Sequence, residues 1–240
     1  MRIFIVHAHH EPKSFNGAMS ETAVAALGAT GHEVIVSDLY RMGFDPVSDR
    51  RNFTTVRDAA YLKQQAEESF AHQHHGFTPP IAAELEKLFW CEALIFQFPL
   101  WWFGLPAILK GWVDRVFALG PVYGGGRRYD KGVLAGRRAM CALTTGGTPG
   151  SYGENGLNGE IGALLYPINH GIFAFTGFTV VEPFVVYGPV RLSESERVAE
   201  LARYRARVLD LAAAPTLAYP RLEEYDEAGA LRPTPPASRG

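Results

Sequence analysis

The sequence predicts an α/β fold built on a doubly wound, five-stranded parallel sheet with helices on both faces. Three observations lead there. Short apolar runs without helical spacing recur at 2–7, 32–39, 92–98, 137–145 and 178–188, as expected of strands buried on both faces. Helical segments separate them, so the connections read as right-handed crossovers that lay helices on the sheet. Hydrophobic residues make up 47% of the 240-residue chain and charged residues 20%, enough apolar material for a full core.

The elements follow in order. "RIFIVH" (2–7) is the first strand, and Ser14 caps a helix that Gly31 stops. "HEVIVSDL" (32–39) is the second strand. Residues 40–56 are irregular, a polar helix with a weak apolar stripe is predicted over 56–76, and "PPIAAELEKLFW" (79–90) makes another helix with a proline start. Tyr61, Leu62, Phe70 and Phe77 give this insertion (40–90) an apolar side that suits a partner subunit. After the third strand (92–98), Pro106 opens a helix to Phe117 whose Ile108, Leu109, Trp112, Val113 and Val116 form one stripe. A glycine-rich loop (120–136), the fourth strand (137–145), a helix over 157–170, the fifth strand (178–188) and a Ser193-capped helix to about Ala213 complete a single domain, 1–213. Residues 214–240 read as a C-terminal tail.

A formal charge of −2 argues against a nucleic-acid backbone binder, which carries a basic surplus. Cys91 and Cys141 sit far apart in apolar runs and read as buried free thiols in a reducing compartment. The N-terminus lacks the apolar stretch of a signal peptide, and no run approaches a membrane span. A cytoplasmic protein is expected.

Ligands of open α/β sheets bind outside the carboxyl ends of the strands, and three strand-end loops carry unusual residues. "HAHHEPKSFN" runs into a helix N-terminus, where free N–H groups suit a phosphate; His9, Lys13, Ser14 and Asn16 add charge and hydrogen bonds, against the plainer reading of a capped helix with surface histidines. "PLWWFG" exposes Trp102 and Phe103 where short polar residues would make a turn, fitting either a stack on a planar cofactor or a wedge against a neighbour. "TTGGTPGSY" brings Gly146 and Gly147, whose N–H groups can face a developing negative charge. Together the loops fit a flavin, with pyrophosphate on the first and the ring between the other two. No G-x-G-x-x-G follows the first strand, which disfavours a dinucleotide-binding site of that type. "HAHH" and "HQHH" lack cysteine or carboxylate partners at a recognisable spacing, so solvated histidines are preferred over a metal.

Several stretches extend this reading. "SFN" (14–16), "SDLY" (37–40), "FQFPLWWFGLPAILKGWVDRVF" (96–117), "YDKG" (129–132), "TTGG" (144–147), "YPINHGI" (166–172) and "VVEP" (180–183) closely resemble the NAD(P)H:quinone oxidoreductases, the DT-diaphorase family of flavodoxin-like FAD enzymes, over about residues 2–210. The shortness of the chain matches a bacterial-type member. The resemblance implies a flavodoxin-like fold, FAD, a homodimer with sites at the interface, and ping-pong two-electron hydride transfer from NAD(P)H through flavin N5 to a quinone. By position it assigns flavin contacts to His9, Ser14, Phe15, Asn16, Gln64, Leu100, Trp101, Trp102, Phe103, Thr144, Thr145, Gly146, Gly147, Tyr152 and Arg197. Tyr123 aligns with a ring closing the substrate pocket, which Trp102, Phe103 and Tyr152 would also line. Gly146, Gly147 and Tyr152 are the expected catalytic charge stabilisers, with Asn158 beside them.

This chain departs from the family pattern at two pocket positions. Asn158 stands where mammalian members carry a histidine partner of the active-site tyrosine; asparagine can orient Tyr152 but cannot take its proton. Gly125 replaces a second pocket tyrosine. A related quinone reductase binds metal through a histidine pair near 170; here His170 is present but Ala174 replaces its partner, and no metal is expected. Alternatives are a flavin-bound regulatory subunit of a potassium efflux system, an azo- or nitroreductase of the same fold, and a flavodoxin-type electron carrier, the last disfavoured by the absence of a strongly acidic surface.

Overall fold

The structure, a computed structural model, describes residues 1–233. Its elements are β1 (Arg2–His7), α1 (Phe15–Ala29), β2 (Glu33–Asp38), α2 (Gln64–Gln73), α3 (Pro79–Trp90), β3 (Ala93–Pro99), α4 (Ala107–Val116), β4 (Arg138–Thr145), α5 (Ile161–Ile168), β5 (Thr179–Val180), β6 (Phe184–Tyr187) and α6 (Glu194–Leu209). The sheet runs β2-β1-β3-β4-β5, with β6 also on β4, and every strand pair is parallel. The chain thus winds outward from β1 to β2, then crosses back to β3 and β4. That reversal opens the crevice between the ends of β1 and β3, where such folds bind ligands.

Alternation along the strands explains the two layers. Ile3, Ile5, Ile95 and Met140 pack under α1 and α6 with Met19, Leu27 and Tyr204. Phe4, Val6, Phe96 and Phe98 point to the other face, against Leu85 and Leu88 of α3, Trp112 of α4 and Leu165 of α5. Ser14 caps α1, its Oγ accepting the Gly17 N–H, and Ser193 caps α6 in a capping box with Glu196. α3, α4 and β2 are pinned together by Glu84, a buried carboxylate that accepts from Ser37 Oγ at 2.8 Å, Trp112 Nε1 at 2.8 Å and Lys87 Nζ at 2.5 Å.

Some boundaries differ from the sequence expectation. α2 starts at Gln64 rather than at 56, because the buried Glu67 carboxylate accepts the N–H groups of Arg57 (2.8 Å) and Asp58 (3.0 Å) and holds the preceding stretch as a loop. α5 starts at Ile161, after Gly159 turns the chain at φ +81°, and beyond Pro167 it widens into a π-type turn over Asn169–Ala174. The fifth strand is split into β5 and β6 around Pro183, which has no N–H for the ladder. There the chain pairs instead with residues 215–217: the Glu182 N–H reaches Pro215 O and the Leu217 N–H reaches Val180 O. α6 ends at Leu209. Of the stretch 214–240, residues 234–240 lie outside the described residues. Both cysteines are free and buried; burial pushes the Cys91 thiol up to about 12. No helix among the described residues is long and apolar enough to cross a membrane.

Candidate active site

β1, β3 and β4 end at the same edge, in the registers His7–Gln97 and Pro99–Thr144, so their following loops meet. A buried polar chain locks them together. Tyr204 OH donates to Gln97 Oε1 (2.9 Å), Gln97 Nε2 to Asn16 Oδ1 (2.8 Å), and Asn16 Nδ2 to Thr144 Oγ1 (2.8 Å). Asn16 therefore uses its amide to tie the first loop to β3 and β4. Gln97 and Tyr204 escaped the sequence reading, although a glutamine inside the apolar run "IFQFP" was a visible signal: a buried amide must find partners.

In the first loop, the N–H groups of Phe15 and Asn16 have no partner among the described residues, as at any helix start. His9 accepts the Glu11 N–H at Nδ1 (3.0 Å), so its neutral ring carries the proton on Nε2 and presents it as a donor. Burial, and then the neighbouring His10, hold His9 below the usual imidazole range. The two rings stack at 4.8 Å, and Trp101 lies 5.8 Å from His9.

The aromatic loop is held in an unusual shape. Trp102 and Phe103 adopt φ of +49° and +60°, a region costing of order 1–3 kcal/mol for such residues. Trp102 is 96% exposed. Leu100 is buried and donates its N–H to Thr144 O (2.8 Å), and Gly104 closes the turn onto Trp101 O (3.1 Å). The N–H groups of Trp102 and Phe103 find no partner among the described residues.

In the third loop the carbonyls are tied and the amides are free. Arg191 donates to Gly146 O, and Thr145 Oγ1 to Gly147 O (3.2 Å). The N–H groups of Gly146 and Gly147 have no partner among the described residues. A Cβ on Gly147 would meet Tyr152 Cε2 at 2.9 Å and Asn158 Nδ2 at 3.3 Å, so only glycine lets the tyrosine close over the loop. Tyr152 is buried, and its ring lies 5.8 Å from that of Tyr187. Asn158 is fixed by its own N–H to Ser151 O (2.9 Å).

A cavity of about 400 Å³ brings together His9, Leu100, Trp101, Trp102, Thr144, Thr145 and Gly146. A second, of about 460 Å³, is lined by Lys13, Ser14, Phe15 and Arg197. The two share Pro189 and Val190 and so adjoin along a groove walled by that pair. These two residues follow β6, a fourth strand-end loop that the sequence reading passed over although the same strand-end rule points to it. Arg197 holds this loop, donating to Pro189 O (3.0 Å).

Gln64, Tyr123 and Gly125 lie elsewhere. Gln64 opens α2 and donates to Ser48 Oγ (3.2 Å) and Glu68 Oε1 (3.0 Å). Tyr123 accepts from Gln65 Nε2 (3.2 Å), and burial raises its hydroxyl above the usual range. Gly125 is exposed at φ +63°. Among the described residues, no group of three histidine, cysteine or carboxylate side chains is placed to hold a metal. His170 instead packs among Tyr129, Tyr166 and Tyr219.

A doubly wound sheet with a groove at its switch point and a strained aromatic loop beside it defines a class, the flavodoxin-like α/β proteins. A family described by its flavodoxin-like fold matches residues 1–210. NAD(P)H dehydrogenase (quinone) 1 of Cavia porcellus is 42% identical over 208 residues, 86% of this chain and 76% of that protein. Ribosyldihydronicotinamide dehydrogenase (quinone) of Rattus norvegicus is 40% identical over 208 residues, 86% of this chain and 90% of that one. A solved chain assigned as a quinone reductase of Klebsiella pneumoniae superposes with a TM-score of 0.94 at 36% identity, covering 97% of this chain and 94% of its own. The chain belongs to the NAD(P)H:quinone oxidoreductase family of flavodoxin-like proteins.

Proposed function

We propose that this chain is an FAD-dependent NAD(P)H:quinone oxidoreductase that works as a cytoplasmic homodimer, with residues 1–213 as its catalytic domain. The observation that carries the reading is the pair Trp102 and Phe103, held at positive φ with Trp102 in solvent beside a groove. Strain of this kind persists where a ligand uses it, and a flat apolar ring covers what water does not favour. When bound, the flavin supplies hydride acceptance from the nicotinamide donor and hydride delivery to the quinone.

Each side chain then has a task. Trp101, Trp102, Phe103 and Leu100 would hold the flavin ring, with the free N–H groups of Trp102 and Phe103 as hydrogen-bond donors to it. Thr144, Thr145 and the free amides of Gly146 and Gly147 would supply donors that stabilise negative charge on a reduced flavin, as an oxyanion hole does. Tyr152 adds its hydroxyl there, and Asn158 shapes the wall beside it. The start of α1 takes the phosphates through the N–H groups of Phe15 and Asn16, with Ser14, Lys13 and the His9 Nε2–H around them. The adjoining cavity at Ser14, Phe15 and Arg197 has room for a second phosphate and adenosine, which favours FAD over FMN. Tyr123, Gly125 and Gln64 act on the site from the partner subunit, since they do not line this chain's own groove.

Purification gives the test. The protein should be yellow, release FAD, and oxidise NADH or NADPH with a benzoquinone at steady state. Release of FMN alone, no chromophore after reconstitution with FAD, or no donor oxidation would overturn the assignment.

A further inference from the structure

The loop after α4 carries Tyr123 in a stretch that has little stiffness of its own. Between residues 120 and 126 stand four glycines, Gly120, Gly124, Gly125 and Gly126. Glycine gives up more conformational freedom on ordering than any other residue, so such a stretch keeps one shape only where other groups fix it. Within the loop, the Val122 N–H reaches Ala118 O (3.1 Å) and the Gly120 N–H reaches Tyr123 O (2.9 Å). Gly124 sits at φ +109°, and a Cβ there would meet Leu119 Cδ1 at 2.6 Å. The turn closes tightly on its own start.

Side chains from α2 and from the end of the loop hold this turn. Glu68 is buried on α2 and accepts the Leu119 N–H at Oε2 (2.7 Å) and Gln64 Nε2 at Oε1 (3.0 Å). Burying a carboxylate costs several kcal/mol unless hydrogen bonds satisfy it, and one of those bonds here goes to the base of the loop. Glu68 thereby joins Gln64 to the Tyr123 loop, the two parts of the chain that the proposed homodimer directs at its partner's groove. Arg127 reaches back over the glycines, its Nε donating to Gly124 O (3.0 Å) and its Nη2 to Gly120 O (2.5 Å). Gln65, the second residue of α2, donates from Nε2 to Tyr123 OH (3.2 Å). Phe175 meets the same tyrosine edge-on at 5.8 Å, so packing holds the ring and a hydrogen bond holds its hydroxyl.

We propose that Gln65 and Arg127 are positioning residues for quinone reduction: on the anchor that Glu68 supplies, they hold the Tyr123 ring where it closes the pocket of the partner subunit. The proposal rests on the reading that the chain reduces quinones in a dimer site closed by Tyr123. Gln65 acts on the hydroxyl, and Arg127 acts on the backbone at both sides of the tyrosine. Loss of Gln65 frees the ring to turn about its side-chain bonds, while loss of Arg127 frees the glycine backbone. Either change lowers the fraction of molecules with the ring in place, and the apparent affinity for quinone falls by that fraction. Saturating quinone restores the closed pocket, so kcat moves little.

The test uses flavin-loaded protein, a benzoquinone acceptor, and a cycle of Gln65→Ala, Tyr123→Phe and the double variant. Gln65→Ala should raise the quinone KM roughly three- to fivefold, the loss of one neutral hydrogen bond, with kcat within about twofold. Tyr123→Phe keeps the ring and should raise the KM by a similar factor. The double variant should be no worse than either, because both changes remove the same bond. Arg127→Ala should raise the KM roughly five- to tenfold, and Arg127→Lys, able to reach one carbonyl, should recover part of that. A residue that only stabilised the fold would lower the thermal midpoint and leave the KM alone. Fluorotyrosine placed at position 123 reports the ring without turnover: its fluorine NMR signal should narrow and move toward that of the free amino acid in Gln65→Ala and Arg127→Ala. An unchanged quinone KM in those two variants, effects of Gln65→Ala and Tyr123→Phe that multiply in the double variant, or an unmoved fluorine signal overturns the positioning role and leaves the oxidoreductase reading intact. A wild type that turns over no quinone, with a fluorine signal that both variants still move, overturns that reading and leaves the tethering of Tyr123 standing.

Discussion

His7 is buried with one nitrogen unpaired, and that carries a consequence for acid stability. Burial is the main cause that lowers its pKa from the ordinary 6.5, with His9 adding to it and Asp38 opposing. A depressed histidine favours the folded state fully above the unfolded pKa and loses that contribution as pH falls through the folded value. The thermal midpoint should therefore decline below pH 6.5, and His7→Leu should flatten that decline; scanning calorimetry over this range that shows equal slopes for both proteins refutes it. Tyr152 offers a second residue-scale test. Removing its hydroxyl leaves the Gly146 and Gly147 amides in place, so Tyr152→Phe should slow flavin reduction by about 1–2 kcal/mol rather than the larger loss of a lone donor. Asn158→Ala should cost less, since its side chain makes no hydrogen bond to Tyr152 among the described residues. Stopped-flow reduction measures both. A wild-type rate in Tyr152→Phe, with only the quinone KM altered, would reduce the tyrosine to a pocket wall.

At the scale of elements, α4 depends on one indole. Trp112 is fully buried, meets Phe4 and Phe96 edge-on at 5.9 and 5.8 Å, and donates to the Glu84 carboxylate. Trp112→Phe keeps most of the apolar contact but strips a hydrogen bond from a buried charge. A loss of about 1.5–3 kcal/mol in urea unfolding, at unchanged m-value, is expected. A loss below about 0.5 kcal/mol, within the range of ordinary surface changes, would show that Ser37 and Lys87 suffice for Glu84. The stripe that includes Trp112 was readable in the sequence because helical periodicity is local, as were the apolar runs of β1, β3 and β4. The start of α2 was not readable, since the loop before it is set by Glu67 capturing amides from residues outside the helix. The break between β5 and β6 was half legible: Pro183 announced it, but the pairing partner at 215–217 lies far along the chain. The site divides in the same way. His9, Trp102 and Gly147 announce themselves as odd residues on loops, whereas the Pro189–Val190 wall consists of ordinary residues that matter only through where β6 ends. Tyr204, on α6, meets Gln97 across 107 positions, a contact no local pattern encodes.

At the scale of the whole molecule, the exposed apolar residues of one chain fit the proposed homodimer. Trp102 and Leu157 stand almost wholly in solvent, and Tyr61 and Tyr166 add exposed rings. Tyr123 and Gln64 lie away from the groove that their expected roles require. A second copy covering the groove with its Tyr123 loop accounts for both facts, and a stable pair of this kind buries about 1,200–2,000 Å². Light scattering should therefore report a dimer at micromolar concentration, with activity falling as dilution separates the subunits. Complementation gives the sharper form of the test. Trp102→Ala and Tyr123→Ala homodimers should each be strongly impaired, yet a heterodimer purified through two different tags should regain one intact site, built from the unmutated Trp102 of one subunit and the unmutated Tyr123 of the other. If the site were complete within a single chain, each protomer of the heterodimer would keep its own defect and no activity would return. A monomer with full activity at nanomolar concentration, or a heterodimer no better than its parents, would place the whole site within one subunit.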